Sequence, residues 1–272
     1  MKTLDGAPNI PAANYTVKAL VKALRVLECL GEEEAPSLTL TELSRRLHLH
    51  VSTVHRMVVN LHREGFVELD PVTGGYQLSY RVLRMGLRVL DRLDFRQVAR
   101  PLLRELNQRT QETVHLAILQ GHQALSIDKI GSPQPVGLDA RLGNLMPLYC
   151  TGVGKTLLAF QPEGVREQLL HALTLERHTP QTITAAALFR KELLKIRAQG
   201  YAIDNEEMVP GLRCVAAPVI DHLGNVLAAF SVAGPASRVT QERIPALAQL
   251  VCETARAISF RLGQRRDSPP RR

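Results

Sequence analysis

The sequence predicts an α+β chain in two parts, a small winged helix-turn-helix and a larger mixed domain, with a helix joining them. Three observations carry this. A capped helix, a tight turn and a second helix with a basic outer side follow one another between Leu38 and Arg63. Two short strand patterns flank a loop of turn formers directly afterwards. From Asp94 and Phe95 onward, the pattern changes to mixed helices and strands.

Residues 1–14, with two prolines and little apolar content, read as a flexible leader, and residues 15–79 as the winged helix-turn-helix. Its first helix is expected over 15–30, where Leu20, Leu24, Leu27 and Leu30 recur at helical spacing to pack on the helix-turn-helix. The stretch 31–36 ends it, and its glutamates read as a solvated loop. Thr39 followed by Glu42 has capping-box spacing, so a helix should open near Leu40, with Leu43 and Leu47 one turn apart. The three residues 48–50 leave room only for a turn before apolar periodicity resumes.

On a wheel of about 100° per residue, Val51, Val54, Met57, Val58 and Leu61 share one side of the next helix. Ser52, Thr53, Arg56, Asn60 and Arg63 occupy the other. Short hydroxyls, an amide and guanidinium groups are the types that bond base edges and phosphates in a major groove. We therefore expect Ser52, Thr53 and Arg56 to meet bases and Arg45, Arg46 and Arg63 to hold phosphates. Ser52 is equally a candidate helix cap. Gly65 can take the left-handed conformation that stops a helix, and residues 66–69 and 76–78 then form the wing around 70–75.

Residues 80–94 form the linker helix. Arg81, Arg84, Arg88 and Arg92 line one side of it, a stripe that suits either solvent or DNA phosphates, while Val82, Leu83, Gly86, Val89, Leu90 and Leu93 lie elsewhere on the wheel. The second domain, 95–263, is expected to hold helices at 96–109, 152–160, 163–173, 185–199 and 241–262. Strands are expected at 113–119, 124–130, 136–140, 201–204, 214–220 and 226–233, with turns at 121–123 and 221–225. Residues 264–272 read as a disordered basic tail.

The formal charge of +8 suits a polyanionic partner, and 45% hydrophobic residues suffice for two cores. No stretch approaches the roughly 20 apolar residues of a membrane span, so the protein is expected to be soluble and cytoplasmic, with no membrane partner. Cys29, Cys150, Cys214 and Cys252 are far apart and lack histidines at ligand spacing, which predicts reduced thiols, no metal site and no cofactor. Gly152 to Thr156 ends like a P-loop, but the glycine that motif needs is replaced by Tyr149; Lys155 is then read as helix surface. His115, His122, His171 and His178 show no triad or metal spacing, so no catalytic residue and no enzyme activity is predicted. A redox-sensing alternative rests on Cys150, two residues before a helix start, or Cys214, beside Arg213.

Three pieces carry a family resemblance when taken together and in order. They are Ser52-Thr53-Val54-His55-Arg56 with Leu61 and Gly65; 148–155, LYCTGVGK; and 200–207, GYAIDNEE, followed by Gly211 and 214–219, CVAAPV. With them the chain resembles the IclR family of bacterial transcriptional regulators from about Tyr15 to Gly263. The resemblance implies a GAF-like effector-binding C-terminal domain, a homodimer or homotetramer on palindromic double-stranded operator DNA, and a small organic acid as effector. It adds His55 to the DNA-facing set. It also implies an effector pocket built from Met146, Gly152, Val153, Asp204, Cys214 and Ser231. Ala233 stands where a relative with a small-acid ligand can carry a second serine, which argues against a very small, very polar ligand. A helix start at Gly152 favours a carboxylate, and Asp204 would then accept from a ligand hydroxyl. A hydroxy, sugar or aromatic acid meets both demands. Asp204 is equally suited to a turn role, and Cys214 to core packing.

Overall fold

The computed structural model describes residues 17–32, 37–91, 94–135 and 141–263. The expected leader, the strand at 136–140, Arg92, Leu93 and the basic tail lie outside the described residues, as do the side chains of Val89 and Leu90. The chain divides into two compact units between residues 92 and 93.

In the first unit, α1 (Lys18–Glu32), α2 (Leu40–Leu47) and α3 (Val51–Arg63) surround a core of Val26, Leu38, Leu43, Leu47, Val54, Val58 and Val67. Thr39 caps α2 as expected: its hydroxyl accepts from the Glu42 N–H, and the Glu42 carboxylate accepts from the Thr39 N–H at 2.8 Å. The turn is made by His48, which takes the left-handed conformation at φ 52. Gly65, at φ +74, turns the chain out of α3 into β1 (Val67–Leu69), which pairs antiparallel with β2 (Tyr76–Leu78). Leu38 and Tyr76 exchange backbone hydrogen bonds at 2.9 and 2.8 Å, so the wing is also tied to the segment that opens α2.

Two readings of this unit are corrected. Leu20 and Leu24 do not pack on the helix-turn-helix; they stay exposed, and α1 buries Val26 instead, with Leu27, Cys29 and Leu30 beside it. Val51 is 40% exposed, because it stands in the first turn of α3, before the helix reaches the core.

The linker helix α4 (Tyr80–Asp91) begins directly after the wing. Its arginine stripe is not simply wetted. Arg81 donates to the Glu64 carbonyl and lies over the Phe66 ring, 4.7 Å from its centre.

The second unit carries, among its described residues, a six-stranded antiparallel sheet in the order β5-β4-β3-β8-β7-β6. The strands are β3 (Thr113–Gln120), β4 (Gln123–Ile130), β5 (Leu145–Pro147), β6 (Ala202–Asn205), β7 (Leu212–Ile220) and β8 (Val226–Pro235). Helices α5 (Asp94–Thr110) and α9 (Ile244–Arg261) cover one face. Asp128 of β4 meets Arg96 and Arg100 of α5 there, and Ser259 of α9 accepts from the Ile220 N–H at 2.9 Å. On the other face, α6 (Gly152–Ala159) packs on β7 and β8, with α8 (Ala186–Gln199) and α7 (Glu163–Ala172) against it. Helix α9 starts three residues later than expected because Pro245 fits only a first helical turn. Strand β5 was absent from the sequence reading, being only three residues long and ending in proline.

Capping of α2 should be measurable. Replacing Thr39 with alanine should cost about 1 kcal/mol locally. Hydrogen exchange of the α2 amides, faster in the variant with the second unit unchanged, is the expected result.

Candidate nucleic-acid interface and effector site

The outer side of α3 presents Ser52, His55, Arg56, Asn60 and Arg63 to solvent, with Thr53 half-buried; Arg45 and Arg46 are exposed on α2. The cap of α3 is His50 rather than Ser52: its Nδ1 accepts from the Ser52 N–H and meets the Ser52 hydroxyl at 2.8 Å. Asn60 is exposed, yet its amide donates back to the Arg56 carbonyl at 2.6 Å. The sequence pattern placed these side chains on one side, and it could not show that two of them make local bonds.

In the second unit, strand register decides which residues share the face under α6. Asp204 pairs with Cys214, Cys214 with Ala233, and Ala233 with Thr113. One step along, Ala202, Ala216, Ser231 and His115 form the next row. Directly opposite residues point to the same face, so Asp204, Cys214, Ser231 and His115 lie on one surface whose other members are mostly alanines. Met146 stands opposite Ala124 at the β5 edge, packed with the same core.

Helix α6 is held tightly on this floor. Thr151 caps it, accepting from the Gly154 N–H at 3.1 Å and donating to the Pro147 carbonyl at 2.7 Å. A methyl group on Gly152 would stand 2.5 Å from Cys214 Sγ and 3.2 Å from Ala216 Cβ, so only glycine lets the helix start this close to β7. Val153 is buried beside it. Of the six residues expected in the pocket, Gly152, Asp204 and Cys214 are therefore brought together, Val153 and Ser231 belong to the same layer, and Met146 lies at its far edge.

Lys155 is the clear correction. It is 0% exposed, forms an ion pair with Glu207 and donates to the Ile203 carbonyl at 2.5 Å. Helix α6 has no wet side, since all eight of its residues are buried between the sheet and α8. With its ammonium committed to Glu207, Lys155 does not serve a phosphate as a P-loop lysine would.

Asp204 does fill the turn role foreseen for it. Its Oδ1 accepts from the Glu207 N–H at 2.8 Å, closing a loop in which Glu206 takes the uncommon φ of 63. Burial pushes the Asp204 carboxyl up to about 7, against the pull of the Glu207 N–H and the Lys155 charge. The native state therefore holds this proton more tightly than the unfolded chain. The contribution to stability is full below the ordinary carboxylate range and is lost as pH rises through about 7.

The thiols behave opposite to the redox expectation. Cys150 and Cys214 are buried, and burial followed by the nearby Asp204 charge pushes both up to about 12. Neither has the exposure or the lowered pKa of a reactive cysteine.

Sequence reasoning also passed over His115. It is 2% exposed, and one ring nitrogen meets the Ser126 hydroxyl at 2.6 Å. Burial, then the charge of Lys129, pushes it down to about 4, so the ring is neutral at pH 7. Its signal was its place in a period-2 strand, where it falls on the same side as Ala117. Among the described residues no cluster of three or more His, Cys, Asp or Glu side chains could hold a metal ion. No described helix is long and apolar enough to cross a membrane.

A winged helix-turn-helix with a basic outer helix, followed by an α+β unit with a polar strip under one helix, defines a DNA-binding transcriptional regulator. Comparison with known proteins makes the class specific. Residues 19–71 match the IclR helix-turn-helix domain, and residues 87–260 match the C-terminal domain of the bacterial transcriptional regulator IclR. The chain belongs to the IclR family of bacterial transcriptional regulators. It is 37% identical to the HTH-type transcriptional regulator BhcR of Paracoccus denitrificans, over 94% of this chain and 91% of that one. It is 35% identical to the HTH-type transcriptional regulator KdgR of Escherichia coli, over 91% and 94%. The crystal structure of Thermotoga maritima IclR matches with a TM-score of 0.75 at 35% identity, covering 91% of this chain and all of that one. An IclR homologue from Microbacterium hydrocarbonoxydans, crystallised with 4-hydroxybenzoate, matches with a TM-score of 0.80 at 28% identity, over 90% and 99%. The related proteins are named as transcriptional regulators, a class that is generally not enzymatic.

Two measurements check this geometry. Lys155→Met strands a buried carboxylate and should destabilise the second unit by about 3–5 kcal/mol, whereas Lys155→Met with Glu207→Leu should recover most of the loss. Urea unfolding followed by circular dichroism reads both. In timed alkylation of the native protein, Cys252 should label before Cys150 and Cys214; faster labelling of either buried thiol would contradict the burial described.

Proposed function

We propose that the protein is an effector-controlled regulator whose second unit binds a small organic acid under the start of α6 and whose first unit reads a palindromic operator. The observation that carries the effector reading is the polar strip on the α6-facing side of the sheet. Ser231 is 3% exposed, yet among the described residues nothing hydrogen-bonds its hydroxyl, and such a group ordinarily has a partner. The first turn of α6 offers the positive end of its dipole, which suits a carboxylate. Met146, Gly152, Val153, Asp204, Cys214 and Ser231 line the site in this reading. The relative crystallised with 4-hydroxybenzoate supports it, since that ligand is a hydroxylated acid.

On the DNA side, Ser52, Thr53 and Arg56 enter the major groove with His55 and Asn60 beside them. Arg45, Arg46 and Arg63 hold phosphates. A homodimer or homotetramer supplies the second reading head that a palindrome needs. The exposed apolar side of α1, with Leu20, Val21 and Leu24, is a surface a second copy would cover. The protein then works where the DNA is, in the cytoplasm. The linker helix α4 passes the ligand signal to α3 through the contact of Arg81 with Glu64 and Phe66.

Fluorescence anisotropy at fixed salt, on the DNA upstream of the protein's own gene and on a scrambled control, tests the DNA half. Arg56→Ala should lose about 1–3 kcal/mol on the specific site only, and Arg46→Ala should weaken both DNAs alike and flatten the salt dependence. Equal losses for Arg56→Ala would move it to the phosphate contacts. The effector half predicts a pH dependence. Asp204 is neutral below about 7 and repels an anion when ionised above it, so acid binding should weaken as pH rises from 6 to 8. That dependence should vanish in Asp204→Asn. A pH-independent affinity in the parent would remove Asp204 from the site.

A further inference from the structure

The polar strip does not stop at Ser231. His115 stands directly opposite it on β3, and Ser126 of β4 lies opposite Ala117, on the same face, within hydrogen-bond reach of the His115 ring. His115, Ser126 and Ser231 are all more than nine-tenths buried, and they interrupt a floor otherwise made of Ala117, Ala216 and Ala229. A buried imidazole in such a place normally has both nitrogens engaged. Here one meets Ser126, and among the described residues nothing bonds the other. The Ser231 hydroxyl next to it is likewise open.

The spacing of these groups fixes a length. Asp204 lies on β6, Ser231 two strands away on β8, and His115 one strand further on β3. Strands stand about 4.8 Å apart, so the step from Ser231 to His115 is worth about four bonds of an extended chain. An acid held at the start of α6 that reaches no further than Ser231 is shorter by that step than one that also reaches His115.

We propose that His115 and Ser126 form the second polar end of the effector site, which selects an elongated hydroxy, oxo or phenolic acid of about five to seven atoms' length over two-carbon acids. This rests on the reading that an organic acid binds beneath α6. The neutral imidazole with its serine partner both donates and accepts, which suits a ligand hydroxyl or carbonyl and not a second carboxylate. The alternative is that the two side chains merely satisfy each other within the core, and ligand length separates the two cases.

The experiment is isothermal titration calorimetry of the full chain with glyoxylate, gluconate and 4-hydroxybenzoate, on the parent and on His115→Leu, Ser126→Val and Asp204→Asn. At least one of the longer acids should bind the parent tenfold or more tightly than glyoxylate. His115→Leu should erase that advantage and leave glyoxylate affinity within twofold. Ser126→Val, a small change that keeps the histidine, should lower the longer acid's affinity several-fold and serves if His115→Leu does not fold. Glyoxylate binding as tightly as both longer acids overturns the proposal. So does a loss in the variants that is equal for short and long acids, or absent. If the parent binds acids with a pH dependence that Asp204→Asn removes while the His115 and Ser126 variants weaken none, the acid site stands and only its second end is refuted. If no acid binds the parent, both readings fall together.

Discussion

The second unit depends on a charge taken out of water. Lys155 projects from the middle of a helix that is buried on every side, and it forms an ion pair with Glu207, on the loop after β6. Removing either partner alone leaves an uncompensated ion in the interior, a far larger penalty than the pair's net worth. The pair therefore acts as a positional lock. It sets the height of α6 above the sheet, and Gly152 and Gly154 permit the close approach. Asp204, near the end of β6, ties this loop down by accepting from the Glu207 N–H, and Thr182 holds the loop from behind through the Glu207 carbonyl at 2.7 Å. Once the ammonium is fixed, the helix start, the carboxyl of Asp204 and the thiol of Cys214 have little freedom to rearrange independently.

The first unit is organised by small backbone devices and, among its described residues, no buried charge. The capping box at Thr39 starts α2, the left-handed His48 aims α3, and Gly65 releases the chain into the wing. Ser79 then bonds the Gly65 carbonyl, and Arg81 the Glu64 carbonyl, so the end of α3 and the beginning of α4 share one junction. A rotation of α4 cannot leave the C-terminal end of α3 undisturbed. In the proposed regulator, that shared junction is where a signal would reach α3.

Most of this was legible where local chemistry decides local structure. Thr39 and Glu42 announce a helix start whatever lies around them, and the turn at 121–123 between two strand-like stretches announces a hairpin. What escaped depends on the third dimension. Lys155 looks like a surface residue because lysine normally is; only the packing of α6 between sheet and α8 reverses that. Leu20 and Leu24 fit the apolar spacing of α1 as well as Val26 does, and the wheel does not say which stripe meets the core. His50 was missed as a cap because histidine seldom plays that part. His115 was passed over because its meaning comes from Ser231, which the chain brings beside it from 116 positions away.

That last separation bears on how the protein is made. Hairpin β3–β4 lies early in the second unit and hairpin β7–β8 late, and the seam between β3 and β8 joins them at the centre of the sheet. Contacts so distant in sequence close slowly and only after both partners have left the ribosome. The helix-turn-helix, built from near neighbours, has everything it needs long before. During synthesis, the DNA-binding unit thus precedes the floor on which a ligand would rest, and its reading surface takes shape before the sheet of the second unit can close.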